Sequence, residues 1–195
     1  MTVAWPRLAR HMLRTGVVWA LGALVLASVG CSGSRDGVFD LQLPDLEYTF
    51  EVPPGTLRAG VLVPVLSADS LDLSALLRAR GFRPGDVVSA RVERPQLFLE
   101  QPARVGVGIL DEVVLRLRAS EGSADQEGAA VEVARSERFT GLAGRALLEP
   151  LPGNARAAIG EGTRGELALQ ANASEPGVAY RFRVRFDLNL EVRAF

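Results

Sequence analysis

The chain has 195 residues, a hydrophobic content of 48% and a formal net charge of −1, which suits one domain of ordinary size with a substantial core. The first 30 residues hold three Arg and no acid, so the rest has 19 Arg (22 minus 3) against 23 Asp plus Glu and a net charge of −4. This balance provides no electrostatic basis for binding nucleic acid.

Several reactive residue types are absent from the chain or confined to its N-terminal stretch. The chain has no Lys, its only His is His11, its only Cys is Cys31, and both Trp precede residue 30. Beyond Cys31 the usual general bases and thiol nucleophiles of enzymes are therefore missing, and a disulfide within the chain is impossible. The composition predicts a non-enzymatic protein that needs no cofactor.

Residues 1–30 have the three-part layout of an export signal. A positive segment with Arg7, Arg10 and Arg14 precedes an apolar segment over residues 15–29. The apolar segment is shorter than the ~20 residues that cross a bilayer comfortably. The layout predicts a signal peptide, and an uncleaved anchor helix is the alternative.

The residues Ser28, Val29, Gly30 and Cys31 at the end of this segment resemble the lipobox of bacterial lipoproteins. In that family a small residue precedes a Cys that receives lipid and becomes the new N-terminus. The resemblance implies cleavage between Gly30 and Cys31 and a palmitate-bearing anchor on Cys31. Ser28 departs from the pattern, in which Leu is usual at that position.

Residues 31–37 are expected to be the lipidated Cys and a short polar tether, and residues 38–195 a single β-sandwich domain. The six tether residues after Cys31 reach at most ~20 Å, so the domain would lie close to the membrane. Ser32 follows the Cys, where inner-membrane lipoproteins of enterobacteria usually have Asp. The resemblance therefore implies the cell envelope, with the outer membrane favoured.

A period of two over residues 178–195 is the clearest structural signal in the chain. Even-numbered positions are apolar, and odd-numbered positions from 181 to 193 are polar or charged. This alternation predicts a long strand with one buried face and one solvated face. Two residues that disfavour strands, Asp187 and Asn189, predict a bulge or break over 187–189.

Shorter alternating stretches, separated by Gly- and Pro-rich turns, predict the remaining strands. They cover 41–52, 58–66, 87–100, 113–119, 129–135, 139–149 and 166–171. The total is eight or nine strands, since 87–100 is either one strand bent at Pro95 or a strand pair. One short helix is expected over 70–80, capped by Asp72 or Ser70 and ended by Gly81.

These elements predict an all-β, antiparallel β-sandwich, immunoglobulin-like or jelly-roll-like, with one short helix and a preceding signal or anchor helix. Residues 72–100 and 108–117 also resemble a pattern of uncharacterised secreted lipoproteins of Gram-negative bacteria. That resemblance implies a sandwich fold and no particular activity.

The solvated face of the last strand carries a row of three arginines, Arg181, Arg183 and Arg185. Guanidinium groups suit phosphate, so the row could bind anionic lipid headgroups. The alternative is ion pairing with acids of a neighbouring strand. The candidate partners are Glu47, Glu51 and Glu132.

Acidic residues provide the remaining candidates for chemistry. Asp111 and Glu112 form a carboxylate pair of the kind that glycosidases use, but the chain beyond Cys31 has two Tyr and no Trp to line a sugar cleft. We expect this pair to cap a turn. Two loops have acids that could bind Ca²⁺, but neither is dense enough, so no metal site is predicted. These acids are Asp69, Asp72, Asp125 and Glu127.

Three functions remain open on this basis. The first is a membrane-anchored envelope lipoprotein that acts as a non-enzymatic interaction or structural module with an unknown protein or lipid partner. The second is a carrier that holds a lipid or another hydrophobic ligand between the sheets. The third is a carboxylate-dependent hydrolase. A filled core would favour the first, an apolar cavity the second, and a cleft at Asp111 and Glu112 the third.

Overall fold

The computed structural model describes residues 37–119, 130–140, 142–174 and 177–193, and nine strands in these ranges form two antiparallel sheets. The strands are β1 (Val38–Val52), β2 (Val63–Leu71), β3 (Val87–Gln101), β4 (Leu110–Arg118), β5 (Val131–Glu137), β6 (Arg145–Leu147), β7 (Glu149–Pro150), β8 (Thr163–Ala171) and β9 (Tyr180–Arg193). One α-helix, α1 (Leu73–Arg78), follows β2. The expected all-β sandwich with one short helix is confirmed.

The N-terminal predictions lie outside the described residues. They comprise the signal peptide over 1–30, the cleavage site at Gly30 and Cys31, and the tether apart from Gly37. Within the ranges that the structure describes, no helix is long and apolar enough to cross a membrane.

The strand order is that of a jelly roll. One sheet has the order β1-β9-β3-β6 and the other β2-β8-β4-β5-β7. β1 pairs with β9, β2 with β8, β3 with β6 and β4 with β5, as if one long hairpin had been rolled up. An immunoglobulin-like sandwich would keep its first two strands side by side in one sheet, and here β1 and β2 lie in different sheets.

β9 occupies an interior position of the four-stranded sheet, between β1 and β3. Its even-numbered residues are all buried, as the alternation predicts. Its odd-numbered residues are half-buried or exposed, with Asp187 as the exception. The apolar row of β9 therefore faces the second sheet, and its charged row faces solvent.

The irregularity expected over 187–189 lies in the neighbouring strands and not in β9, which runs unbroken. β1 shifts register between Leu43 and Leu46, and β3 shifts between Glu93 and Gln96. Both shifts occur beside Asp187. The extra residues of each bulge bring polar groups towards this side chain, as the contacts below show.

Aromatic side chains from β1 and β9 fill the centre of the core. Tyr48, Phe50, Phe182 and Phe186 are fully buried, and the rings of Tyr48 and Phe186 stack at 5.8 Å between centroids. The Tyr48 hydroxyl donates a hydrogen bond of 2.9 Å to the Thr163 carbonyl. Burial raises the pKa of this phenol far above its ordinary value.

Gly165 of β8 allows the two sheets to approach closely at this point. A Cβ atom there would lie 2.9 Å from ring atoms of both Tyr48 and Phe50, closer than real contacts permit. Because glycine has no side chain, the two rings occupy that space. The region between the sheets is therefore filled where a carrier would hold its ligand.

Several elements differ in extent from the expected ones. The stretch 139–149 contains β6 and the start of β7 rather than one strand. β2 lies mostly beyond the predicted 58–66, because the chain turns at Gly60, which has a φ of +68°. α1 is shorter than the predicted 70–80, because Asp72 is its N-cap. The Asp72 carboxylate accepts a hydrogen bond of 2.8 Å from the Ala75 N–H, so the helix begins only after it.

The alternation of β9 predicts unequal costs at two adjacent positions. Phe182→Ala should lower the free energy of unfolding by about 3–5 kcal/mol, because it leaves a cavity in a filled core. Arg183→Ala should lower it by less than ~1 kcal/mol, because its ion pairs lie at the surface. Urea denaturation of both variants makes the comparison, and equal losses would mean that β9 is buried on both faces.

Candidate functional site

The arginine row of β9 lies on the outer face of the four-stranded sheet, and each of its members contacts an acid of β1. Arg183 also contacts Glu100 of β3 at 2.8 Å and lies 5.0 Å from the centre of the Phe98 ring. The nitrogen–oxygen distances to β1 are 2.9 Å for Arg181–Glu51, 3.3 Å for Arg183–Glu47 and 3.0 Å for Arg185–Asp45.

Cross-strand pairing of the row is therefore confirmed for Glu47 and Glu51, whereas the predicted partner Glu132 is wrong. Glu132 lies on β5 in the other sheet, where it contacts Arg116 at 3.6 Å. The third acid that pairs with the arginine row is Asp45 instead. Because every arginine of the row already holds a carboxylate, little positive charge remains for an added anion. Binding of an anion to Arg181, Arg183 and Arg185 stays a prediction.

Asp187 is a buried carboxylate in the middle of the same face, with 5% of its surface exposed. Its Oδ1 accepts a hydrogen bond of 2.9 Å from the Asp45 N–H in the bulge of β1. Its Oδ2 forms an ion pair with Arg94 Nη2 in the bulge of β3. Asp45 and Arg94 have left-handed backbones, with φ of 58° and 50°. Such conformations are costly for residues other than glycine, and the bonds to Asp187 offset that cost.

A surface cavity of about 220 Å³ lies around Asp187. Its polar lining comprises Asp45, Arg94, Gln96, Arg185 and Asp187. The two positive and two negative charges cancel, and each carboxylate is held by one arginine. The cavity therefore presents no unneutralised charge that would select an ionic ligand.

A second cavity of about 240 Å³ lies where β9 begins. Glu51, Gln101, Tyr180 and Arg181 contribute to its lining, and the ion pair between Glu51 and Arg181 is part of it. Neither of these two cavities is lined by Asp111.

The carboxylates of Asp111 and Glu112 are each engaged by a different partner. Asp111 accepts a hydrogen bond of 3.1 Å from Gln170 Nε2, and Glu112 forms an ion pair of 2.6 Å with Arg135. Asp111 lies at a register shift between β4 and β8. Two acids that are held separately do not form the facing pair that joint acid–base chemistry requires.

The acids considered for Ca²⁺ show no metal geometry where the structure describes them. In those ranges no group of three or more His, Cys, Asp or Glu side chains is arranged to hold a metal ion. Asp72 serves as the N-cap of α1. Asp125 and Glu127 lie outside the described residues.

Glu166 of β8 is a buried carboxylate that sequence reasoning missed, and it is 5% exposed on the outer face of the five-stranded sheet. Arg116 and Arg118 of β4 donate hydrogen bonds of 2.9 and 2.6 Å to its two oxygens. Burial raises the pKa of Glu166, but the hydrogen bonds and charges of the two arginines outweigh it, so the pKa lies below its ordinary value. The available signal was the spacing of Arg116 and Arg118, which places both on one face of a strand.

The sequence matches no protein-family model and no curated protein. Among solved structures, that of the infectious bursal disease virus Gt strain is 12% identical, with a TM-score of 0.40 over 83% of this chain and 33% of that chain. The decameric BFDV capsid protein is 12% identical, with a TM-score of 0.33 over 80% and 99% of the two chains. The structure of Desmodium yellow mottle tymovirus is 12% identical, with a TM-score of 0.27 over 84% of this chain and 92% of that chain. This chain thus spans about a third of the first of these chains. The fold assignment rests on the strand order given above.

Removal of the Asp187 carboxylate should destabilise the domain. Asp187→Ala leaves the Asp45 N–H without its acceptor and removes the ion pair with Arg94, and we expect a loss of about 1–3 kcal/mol in the free energy of unfolding. Asp187→Asn keeps an acceptor for the Asp45 N–H and should lose less. Urea denaturation measures both losses. If both variants were as stable as the wild type, the carboxylate would not hold the two bulges in place.

Glu166 should make stability depend on pH. Its folded pKa lies below the unfolded value, so its contribution is complete above the ordinary value of 4.5 and is lost as the pH falls through the lowered folded pKa. The wild type should exceed Glu166→Gln in stability most strongly at neutral pH. The difference should shrink on acidification below that value, as measured by urea denaturation at several pH values. A difference that grows on acidification would contradict this assignment.

Proposed function

We propose that this chain is a lipid-anchored, non-enzymatic module of a bacterial cell envelope that acts through a protein or lipid partner. The layout of residues 1–31 carries this proposal, with a positive segment, an apolar segment and a lone Cys31 after Gly30. A Cys thiolate is the nucleophile that a thioether-linked lipid requires. The proposed location is the outer membrane, facing the periplasm or the cell surface.

The position of β1 is compatible with a short tether. β1 begins at Val38, directly after the proposed tether over 31–37. The start of β1 lies beside Arg193 of β9, and Val87 of β3 lies beside the neighbouring residue Val192. We call this end of the domain, defined by Val38, Val87 and Arg193, the anchor end.

The opposite end of the domain lies where β1 and β3 end and β9 begins. There Val52 of β1 pairs with Tyr180, and Gln101 of β3 pairs with Arg181. We call this end, defined by Val52, Gln101 and Tyr180, the distal end. In the proposed arrangement it is the part of the sheet that lies farthest from the lipid.

The described carboxylates support a non-enzymatic role. Asp111, Glu112, Glu166 and Asp187 each bind a partner within the domain. Beyond Cys31 the chain has no His, Cys or Lys to supply a general base, a thiol or an amine nucleophile. An interaction module is therefore favoured over a hydrolase.

The packing between the sheets favours the same proposal over a carrier. The rings of Tyr48, Phe50 and Phe186 are fully buried there, and Gly165 brings β8 against two of them. A carrier needs an apolar cavity of several hundred Å³ at this position, on the order of 300 Å³ or more. No observation in the described part of the chain favours the carrier specifically.

The lipid on Cys31 is the direct test. In a Gram-negative host grown with an alkyne analogue of palmitate, the full chain should incorporate the label, and intact mass spectrometry should place the N-terminus at Cys31 with acyl chains attached. Cys31→Ser should abolish the label. Ser28→Leu, which restores the usual lipobox residue, is the matched control and should be labelled at least as well. An N-terminus at Met1, or a mass without acyl chains, would reject the proposal.

A further inference from the structure

Leu142 is the most exposed large apolar side chain among the described residues, at 90%. Leu147 of the edge strand β6 is 73% exposed. A single exposed leucine is ordinary on a protein surface. These two leucines lie five residues apart, one in the loop before β6 and one in β6 itself, and exposed apolar surface is a feature of interaction sites.

Contacts within the domain hold the backbone from Leu142 to Gly144. The Ala143 carbonyl accepts a hydrogen bond of 2.9 Å from the Val107 N–H, and the Gly144 carbonyl accepts one of 2.8 Å from an N–H of β3. Gly106 lies so close that a Cβ atom on it would be 2.5 Å from the carbonyl carbon of Leu142. An apolar side chain on a fixed backbone loses less conformational entropy on docking than one on a mobile loop.

Three exposed arginines lie near this leucine along the chain or across the loop contact. Arg104 precedes Gly106 by two residues, Arg145 follows Leu142 by three, and Arg138 donates its N–H to the Asp111 carbonyl at the start of β4. None of the three forms an ion pair with another described residue. These three arginines therefore keep their positive charge. The arginines of the β9 row, by contrast, are neutralised by carboxylates.

We propose that these residues form a docking surface for an acidic partner protein that offers an apolar pocket to Leu142. The surface, called the leucine patch, comprises Leu142, Leu147, Arg104, Arg138 and Arg145. Unpaired guanidinium groups around an apolar side chain complement a partner with carboxylates around an apolar pocket, which sets both the approach and the register of binding. The orientation of the patch rests on the proposed function, in which the anchor end is held at the membrane.

The strand direction favours a protein over the bilayer as the occupant. Arg145 of the patch pairs with Phe98 of β3. The neighbouring Gly144 carbonyl accepts a hydrogen bond from the N–H of Leu99, which lies towards the distal end, whereas Val87 marks the anchor end. The twelve residues between them span about 40 Å at ~3.3 Å each. A tether of six residues reaches at most ~20 Å. When the domain stands on its anchor end, the patch points away from the lipid.

Photo-crosslinking in the full-length protein tests the proposal. A benzophenone amino acid is placed at position 142 in the cell that naturally makes the protein, and a matched control carries it at Leu66, which is 48% exposed on the edge strand β2. We expect a discrete protein adduct at 142 and none at 66. Mass spectrometry of the adduct should locate the crosslink in an acidic segment of the partner.

Charge reversal in the same protein tests the role of the arginines. Arg104→Glu, Arg138→Glu and Arg145→Glu together should lower the adduct yield about tenfold or more, because rim charges control the encounter rate. Arg156→Glu, at an exposed arginine in the connection between β7 and β8, should leave the yield unchanged. An unchanged melting temperature in the triple variant shows that the loss reflects docking and not unfolding.

An adduct with phospholipid only, an adduct with a second copy of this chain, or equal yields at positions 142 and 66 would each overturn the leucine patch. The palmitate assay at Cys31 is run in the same cells, so the two proposals fail separately. Lipid without an adduct rejects the patch alone. An adduct without lipid rejects the anchor and leaves the patch standing.

Discussion

The fold depends on the entry of β9 between β1 and β3, two strands that lie far from it along the chain. Without β9, β1 has no partner in its sheet, and β3 keeps only the short β6. Bringing such distant segments together carries a loop-closure cost before any contact forms. Burial of the even-numbered row of β9, from Tyr180 to Val192, is the term that offsets this cost, because each large side chain buried contributes about 1.5–3 kcal/mol.

Register in this sheet is fixed on both faces of β9. A slip of one residue would place Arg181, Arg183 and Arg185 in the core and the aromatic row in water. The ion pairs on the outer face contribute at most ~1 kcal/mol each, but they form only in the native register. Asp187 adds a stronger constraint, since its two oxygens bind groups from bulges on opposite sides. The same bulges increase the local twist, which a rolled sheet requires.

Local patterns predicted the parts of this fold that depend on local geometry. The alternation of β9 and a helix cap at Asp72 or Ser70 follow from the periods and side chains of single segments, and the structure has the cap at Asp72. The identity of the neighbouring strands does not follow from a single segment. The sequence therefore did not distinguish Asp45 from Glu132 as a partner of the arginine row. It also did not reveal that Glu166 faces Arg116 and Arg118. Two residues that disfavour strands did predict an irregularity near Asp187, but its assignment to β1 and β3 requires knowledge of both neighbours. The anchor proposed at Cys31 remains a sequence-based inference.

The exposed edges of the sandwich limit how a partner can approach. β1 and β2 are edge strands, and each is interrupted by a proline, Pro44 in the bulge of β1 and Pro64 in β2. Proline removes a hydrogen-bond donor, so it discourages the addition of a further strand. The charged faces of both sheets are largely neutralised by their own ion pairs. Of the other two edge strands, β7 also contains a proline, Pro150, whereas β6 carries Arg145 and Leu147 of the proposed leucine patch, and Leu142 lies in the loop before β6.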